Sequence, residues 1–363
     1  MMKNYSPVTR LFVSILLGIA ALQAETIPAD SPLVQIEGRY ALSDDGSVCE
    51  GYPGVVTRVR FDGSSLIMKA ESNSGDLYID VSVDGEENDD LLLAKGANQI
   101  TLFHGERGEH LIEITKRVQT WRGLLTISSF DCPDGEILEV PALPEKKLLF
   151  IGDSITCGEA CDIREGMPQS GAFIDNGRLS YGTLIARKLN AQCHLVSYGG
   201  RGIIRDWRGI RAIANAPVFY DRTLADDPQS VWNPERYIPD AIGVCLGQND
   251  FNQGIPDQNE FVNAYVEFIR KLMRDAPNAE VILIESPMHG TEGADGVKRQ
   301  ALSMYLDKVV SSVNRPNIRH VHLGNYPGRP ENAHPIASEH EQIADVLTPY
   351  FAEALGIATV VAK

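Results

Sequence analysis

From Leu148 onward, short apolar runs alternate with amphipathic segments, and nothing else in the sequence constrains the fold so tightly. Leu148–Ile151, Leu195–Ser197, Ile242–Leu246, Val281–Glu285 and Ile318–Leu323 have the length and apolarity of strands covered on both faces. Between them Tyr181, Leu184, Ile185 and Leu189 share one helical stripe. So do Phe261, Tyr265, Phe268, Ile269 and Leu272, then Val297, Ala301, Met304 and Tyr305, and finally Ile343, Val346, Leu347 and Tyr350. Such alternation predicts a parallel sheet wrapped by helices, a three-layer α/β sandwich of flavodoxin-like type. Ligands of these sheets bind beyond the carboxyl ends of the strands, so the residues that follow each run carry the functional interest.

Upstream the rhythm is different. Val55–Phe61, Ser65–Met68, Leu77–Val83, Gln99–Phe103 and His110–Ile114 are short, β-branched or alternating, with Asp62-Gly63 and Asp84-Gly85 as turn signals. Many short strands at this spacing predict an all-β sandwich, of jelly-roll type. Pro141-Ala142-Leu143-Pro144-Glu145 breaks the pattern. The expected organisation is a β-sandwich over 25–140, a linker over 141–146 and the α/β unit over 147–363. That two-domain division suits a chain of 363 residues.

Lys3 and Arg10 precede an apolar run from Leu11 to Leu22, followed by Gln23-Ala24 and then Glu25. A basic start, a short apolar middle and a small residue before the cut predict a signal peptide over 1–24 and a secreted or periplasmic mature chain. The run is shorter than the roughly 20 residues a membrane span requires. The formal charge of −16 disfavours a nucleic-acid partner. An oxidising compartment permits disulfides among the six cysteines, and Cys157 and Cys161 are close enough in sequence for a local bridge. Cys193 and Cys245 lie in apolar runs and read as buried thiols.

Four blocks stand at the strand ends: Gly152-Asp153-Ser154-Ile155-Thr156, Ser197-Tyr198-Gly199-Gly200-Arg201-Gly202, Gly247-Gln248-Asn249-Asp250 and His334-Pro335. A serine hydroxyl becomes a nucleophile when an imidazole takes its proton, and histidine titrates close to working pH. The tetrahedral intermediate then needs preorganised donors, which the Ser154 N–H, the Gly200 N–H and the Asn249 amide would supply. Gly200 admits close approach because it has no Cβ.

The blocks resemble those of SGNH (GDSL-type) hydrolases, with Ser154, Gly200, Asn249 and His334 at the four naming positions; the Gly-x-Ser-x-Gly elbow is absent. More closely, the chain resembles carbohydrate esterase family 2. The resemblance rests on Val83-Asp84-Gly85, His110 with Lys116-Arg117, Tyr220-Asp221-Arg222-Thr223-Leu224 before Trp232, and Pro239-Asp240 leading to Gly247-Gln248-Asn249-Asp250-Phe251. It implies a jelly roll joined to an SGNH domain and a serine esterase that removes O-acetyl groups from xylan, glucomannan or their oligosaccharides. Acetylated saccharide is then the partner; no metal or organic cofactor is implied.

Many SGNH enzymes carry Asp three residues before the catalytic His, where this sequence has Glu331. Glu331 is therefore a possible third triad member; a backbone carbonyl in its place would leave a Ser–His dyad. Tyr220 and Trp232, in the long stretch 216–240, are candidate sugar-stacking residues, although aromatic residues more often lie in cores. His320 and His322 share a strand face without a third ligand nearby in sequence, so a satisfied or exposed imidazole is the expectation for each. His340 is expected to pack within the last helix. The competing functions are a lipolytic GDSL-type esterase, which needs an apolar acyl channel, and a carbohydrate-binding module with incidental esterase activity.

Overall fold

A computed structural model describes residues 24–358; the expected signal peptide falls almost entirely outside them. Ten strands form the first sheet: β1 (Glu25–Pro28), β2 (Val34–Glu37), β3 (Tyr40–Leu42), β4 (Val48–Glu50), β5 (Val56–Ser72), β6 (Leu77–Val83), β7 (Glu86–Leu93), β8 (Gly96–Lys116), β9 (Leu125–Cys132) and β10 (Glu136–Leu138). All pair antiparallel, in the order β3-β4-β9-β5-β8-β6-β7, with β1 on β9 and both β2 and β10 on β5. The sandwich is thus one sheet bent over its own apolar face, where Val59, Phe61, Leu66, Ile79, Ile112, Ile114 and Phe130 are fully buried.

Two expected strand breaks, at Asp62-Gly63 and between Phe103 and His110, are absent. Asp62-Gly63 does not reverse the chain, and β5 runs through it for 17 residues, paired with the 21-residue β8. The register shifts between Gly63 and Ser65 instead, which is the signature of a bulge: a residue without Cβ lets the strand bend and change partners while the ladder continues. Asp84-Gly85 is a true two-residue hairpin turn. Val83 pairs with Glu86, and both turn residues have positive φ, 55° and 86°.

No strand or helix lies between Leu138 and Lys147. Beyond it, β11 (Lys147–Gly152), β12 (Gln192–Ser197), β13 (Ala241–Cys245), β14 (Glu280–Ile284) and β15 (Ile318–Val321) form a parallel sheet in the order β12-β11-β13-β14-β15. The helices are α1 (Ser154–Cys157), α2 (Tyr181–Lys188), α3 (Ala216–Phe219), α4 (Gln248–Asn252), α5 (Gln258–Asp275), α6 (Gly293–Val313) and α7 (Ala337–Ala354). Leu149, Ile151, Ile242, Val244, Val281 and Leu283 face α5 and α6, and Leu148, Phe150, Leu195, Ile282 and Ile284 face α2 and α7. Side chains alternate across a strand, so continuous apolar runs are required to fill both layers. The order of connections reverses between β11 and β13, which opens a crevice at their carboxyl ends.

The two sheets are joined by buried charge. Arg117 is fully buried and bridges Asp80 (3.0 Å) and Asp90 (2.8 Å) of the β unit to Asp162 (2.6 Å) and the carbonyl oxygens of Phe173 and Asp175. Arg39 donates to the Tyr220 and Arg222 carbonyls and lies 4.5 Å from the Trp232 ring centroid. Exchange of Arg117 for methionine removes the cation that Asp80, Asp90 and Asp162 share, leaving Asp90 and Asp162 with Arg164. Loss of one partner from a buried ion cluster costs about 3–5 kcal/mol, so urea unfolding is expected to shift by that amount.

Candidate active site

Ser154 opens α1 directly after β11. Gly152 makes this turn possible: a Cβ there would lie 1.9 Å from Thr156 Oγ1 and 3.1 Å from the Cys245 carbonyl oxygen. Asp153 precedes the helix and accepts the Ile155 N–H at 3.1 Å, and Gly158 ends it in the left-handed region. His334 lies in the loop before α7, 180 positions along the chain from Ser154, yet its Nε2 stands 2.8 Å from Ser154 Oγ.

Gly328 shapes this loop. Its φ is +67°, and a Cβ would lie 1.9 Å from the His334 carbonyl oxygen. Glu339 in the first turn of α7 accepts the N–H groups of Gly328 (3.1 Å) and Ile336 (2.9 Å), fastening the loop to the helix on both sides of His334. Arg329 and Asn332 exchange backbone hydrogen bonds of 3.1 and 3.0 Å, closing a tight turn. That turn brings Asn332 Oδ1 to 2.5 Å from His334 Nδ1. Nδ1–H donates to the amide oxygen, leaving Nε2 as the acceptor for the Ser154 hydroxyl.

Glu331 is exposed and makes no hydrogen bond to the ring, and no backbone carbonyl takes its place. The residue that orients His334 is a neutral amide two positions upstream. Glu159 Oε2, 3.7 Å from Nε2, is the nearest carboxylate. An alanine at 332 removes the acceptor of Nδ1–H, on which an imidazolium at His334 would depend. Hydrogen bonds to charged groups are worth about 1.5–3 kcal/mol, so Asn332→Ala is expected to lower kcat by about 10- to 100-fold. Asn332→Asp keeps an acceptor and is expected to retain activity; steady-state kinetics on an acetyl ester separates the two variants.

Gly200 has φ +76°, and a Cβ would meet Trp207 Cδ1 at 2.7 Å. Neither its N–H nor that of Ser154 donates to a protein acceptor among the described residues. The Asn249 amide lines the same cleft, with Nδ2 at 2.9 Å from Asp153 Oδ2 and 3.0 Å from the Arg201 carbonyl oxygen. Burial pushes the Asp153 carboxyl up to about 7, opposed by the Ile155 N–H. Asp250, whose role was not readable in its block, accepts the N–H groups of Ile203 (2.9 Å), Ile204 (2.8 Å) and Arg205 (3.2 Å). Burial raises it to about 6, and it fixes the loop that follows Gly200.

The cleft measures about 410 Å³, and its walls are Trp121 and Trp207, 48% and 51% exposed. Trp121 comes from the β unit. Its segment is docked by Thr120 Oγ1 on the Ser197 carbonyl (2.6 Å) and by Gln119 and Arg122 on Asp175 (3.2 and 3.0 Å). A serine against an oriented imidazole, with free N–H groups alongside, can attack an ester and hold the oxyanion that results.

Comparison with known proteins places the chain among esterases. Residues 36–141 match the family model for the carbohydrate esterase 2 N-terminal region, and 150–348 match the GDSL-like lipase/acylhydrolase family. An acetylxylan esterase/glucomannan deacetylase of Cellvibrio japonicus is 38% identical over 328 residues, covering 89% of each chain. The chain belongs to carbohydrate esterase family 2. A family 2 esterase structure from Cellvibrio japonicus superposes with TM-score 0.88 at 36% identity, covering 92% of this chain and 98% of that one. A Clostridium thermocellum family 2 structure in complex with cellohexaose, at 24% identity and TM-score 0.82, covers 89% and 99% and shares the fold. This esterase is therefore a carboxylic ester hydrolase acting on carbohydrate.

Two residues expected near the sugar are elsewhere in the esterase. Tyr220 and Trp232 are only 4% and 6% exposed and pack around Arg39 in the core between the sheets. A buried guanidinium is stabilised by aromatic faces and carbonyl oxygens, and here those residues supply both. All six cysteines are free; Cys157 Sγ points to Ser197 Oγ and Cys161 Sγ to the Asn176 carbonyl, each at 3.3 Å. His340 is fully buried, its Nδ1 accepting the Tyr181 N–H at 3.2 Å, and burial lowers it to about 3. Beside His320 and His322 stands Glu285, a third donor that strand spacing could not reveal.

Proposed function

We propose that the esterase is exported, loses residues 1–24, and removes O-acetyl groups from xylan, glucomannan or their oligosaccharides through a Ser154–His334 acyl-enzyme. The observation that carries this reading is the 2.8 Å contact between Ser154 Oγ and His334 Nε2 inside an indole-walled cleft. Ser154 Oγ attacks the acetyl carbonyl as Nε2 takes its proton. The N–H groups of Ser154 and Gly200 and the Asn249 amide receive the oxyanion. Imidazolium gives the proton to the sugar oxygen as its bond to the acyl carbon breaks, so the sugar leaves as its hydroxyl, and water attacks the acetyl-serine by the same route. Trp121 and Trp207 offer flat apolar faces to sugar rings, and the relative from Cellvibrio japonicus supports the substrate class. Residues 25–140 then serve as the unit that supplies Trp121, and 147–363 as the catalytic unit.

Hydrolysis of 4-nitrophenyl acetate and decanoate, with NMR of acetylated xylan and glucomannan, tests the reading. The acetate and the polysaccharide acetyl groups are expected to turn over and the decanoate barely at all. Comparable decanoate rates would support the lipolytic alternative. Polysaccharide binding without acetate release would support a binding module.

A further inference from the structure

We propose that Glu285, His320 and His322 bind a divalent transition-metal cation of the zinc type, at the carboxyl ends of β14 and β15 and separate from Ser154. Their donor atoms lie within 4.8 Å of one another. Glu285 Oε2 is 3.0 Å from His322 Nδ1 and 3.9 Å from His320 Nε2. Donors about 2.0–2.1 Å from a tetrahedral ion sit roughly 3.3–3.5 Å apart, so small side-chain movements complete the geometry.

His320 decides the matter. Its side chain is 3% exposed, and its Nε2 is buried with no hydrogen-bond partner. Its Nδ1 stands 2.9 Å from Asp307 Oδ1 on α6. Donation of Nδ1–H to that carboxylate places the lone pair on Nε2, directed at Glu285. A carboxylate behind a histidine is the arrangement that fixes tautomer and ring for a metal. Ser303 Oγ, 3.1 Å from His322 Nδ1, gives up that contact when the ion binds.

The donor set selects the ion. Arg299 Nε holds Glu285 Oε1 at 3.0 Å and offsets part of its charge, leaving Oε2 and two imidazoles. Such a set suits zinc, copper or nickel and is poor for magnesium or calcium. His322 is 62% exposed beside an open groove of about 470 Å³, so a water can fill a fourth position. The ion would tie β14, β15 and α6 together.

The test is calorimetric titration of chelator-treated enzyme with zinc chloride, and with magnesium chloride, alongside thermal melting. The expected result is saturable zinc binding with about one equivalent, a raised melting temperature, and no magnesium response. His322→Ala, at an exposed position, is expected to abolish the zinc response. Asp307→Asn is expected to weaken it by about 10- to 100-fold. Both variants should melt as wild type without metal and hydrolyse acetyl esters normally. Absence of saturable zinc binding, unaltered binding in His322→Ala, or an equal magnesium response would overturn the proposal.

Discussion

Exchange of Ser154 for alanine is expected to lower kcat on 4-nitrophenyl acetate by roughly 10⁵-fold or more, and removal of His334 from the same chain to add almost nothing further. In the proposed scheme the two groups form one device: Nε2, 2.8 Å from Oγ, has its effect by taking the proton of that hydroxyl. Without the hydroxyl there is nothing for the imidazole to activate. His334→Ala alone should therefore fall close to the double variant. Three rates settle it, measured on the two single variants and the double. If the double variant loses the product of the single losses, the groups act independently and the acyl-enzyme scheme fails. A normal melting temperature for each variant assigns the loss to chemistry.

The second large effect is at Asn249. Its amide nitrogen carries two hydrogens; Asp153 Oδ2 holds one at 2.9 Å and fixes the plane of the amide. The other points at the Arg201 carbonyl at 3.0 Å, and it is this hydrogen that an oxyanion in the cleft draws away or shares. A negative oxygen is a stronger acceptor than a neutral carbonyl, so the interaction strengthens as charge develops and acts on kcat. Loss of one oxyanion donor costs about 10²–10³ in kcat, and Asn249→Ala is expected to fall in that range with KM little changed. A loss below about tenfold would assign the oxyanion to the two backbone N–H groups alone.

The meeting of Ser154 with His334 and the parallel sheet that carries them were readable because each depends on local order: an apolar run, then a polar block at its end. What sequence missed depends on distance or on backbone path. The partner of His334 Nδ1 was sought at Glu331 or in a backbone carbonyl, because the SGNH hydrolases that the blocks resemble put it at one or the other. The tight turn from Arg329 to Asn332, together with a glycine at 328 that a Cβ would push into the His334 carbonyl, advances the contact by one residue. Tyr220 and Trp232 looked like a platform because they sit in a long polar stretch. Their true neighbour is Arg39, nearly two hundred positions upstream, which no local pattern announces. Trp121 escaped notice for the same reason. The long strands β5 and β8 were read as shorter pieces because Asp62-Gly63 encodes a turn and a bulge equally well, and only the pairing partner decides between them.

Half of the aromatic enclosure around Ser154 is lent by the other sheet. A protein engineer who excises the α/β unit would keep Ser154 and His334 and lose the indole at 121, together with the salt-linked seam at Arg117. Under the proposed function, a change at Trp121 alone, an exposed indole in the cleft wall, retunes which acetylated backbones are admitted while leaving Ser154 and His334 in place. Under the proposed function, one indole that meets the sugar is thus carried by the β unit and the other, Trp207, by the unit that carries Ser154 and His334.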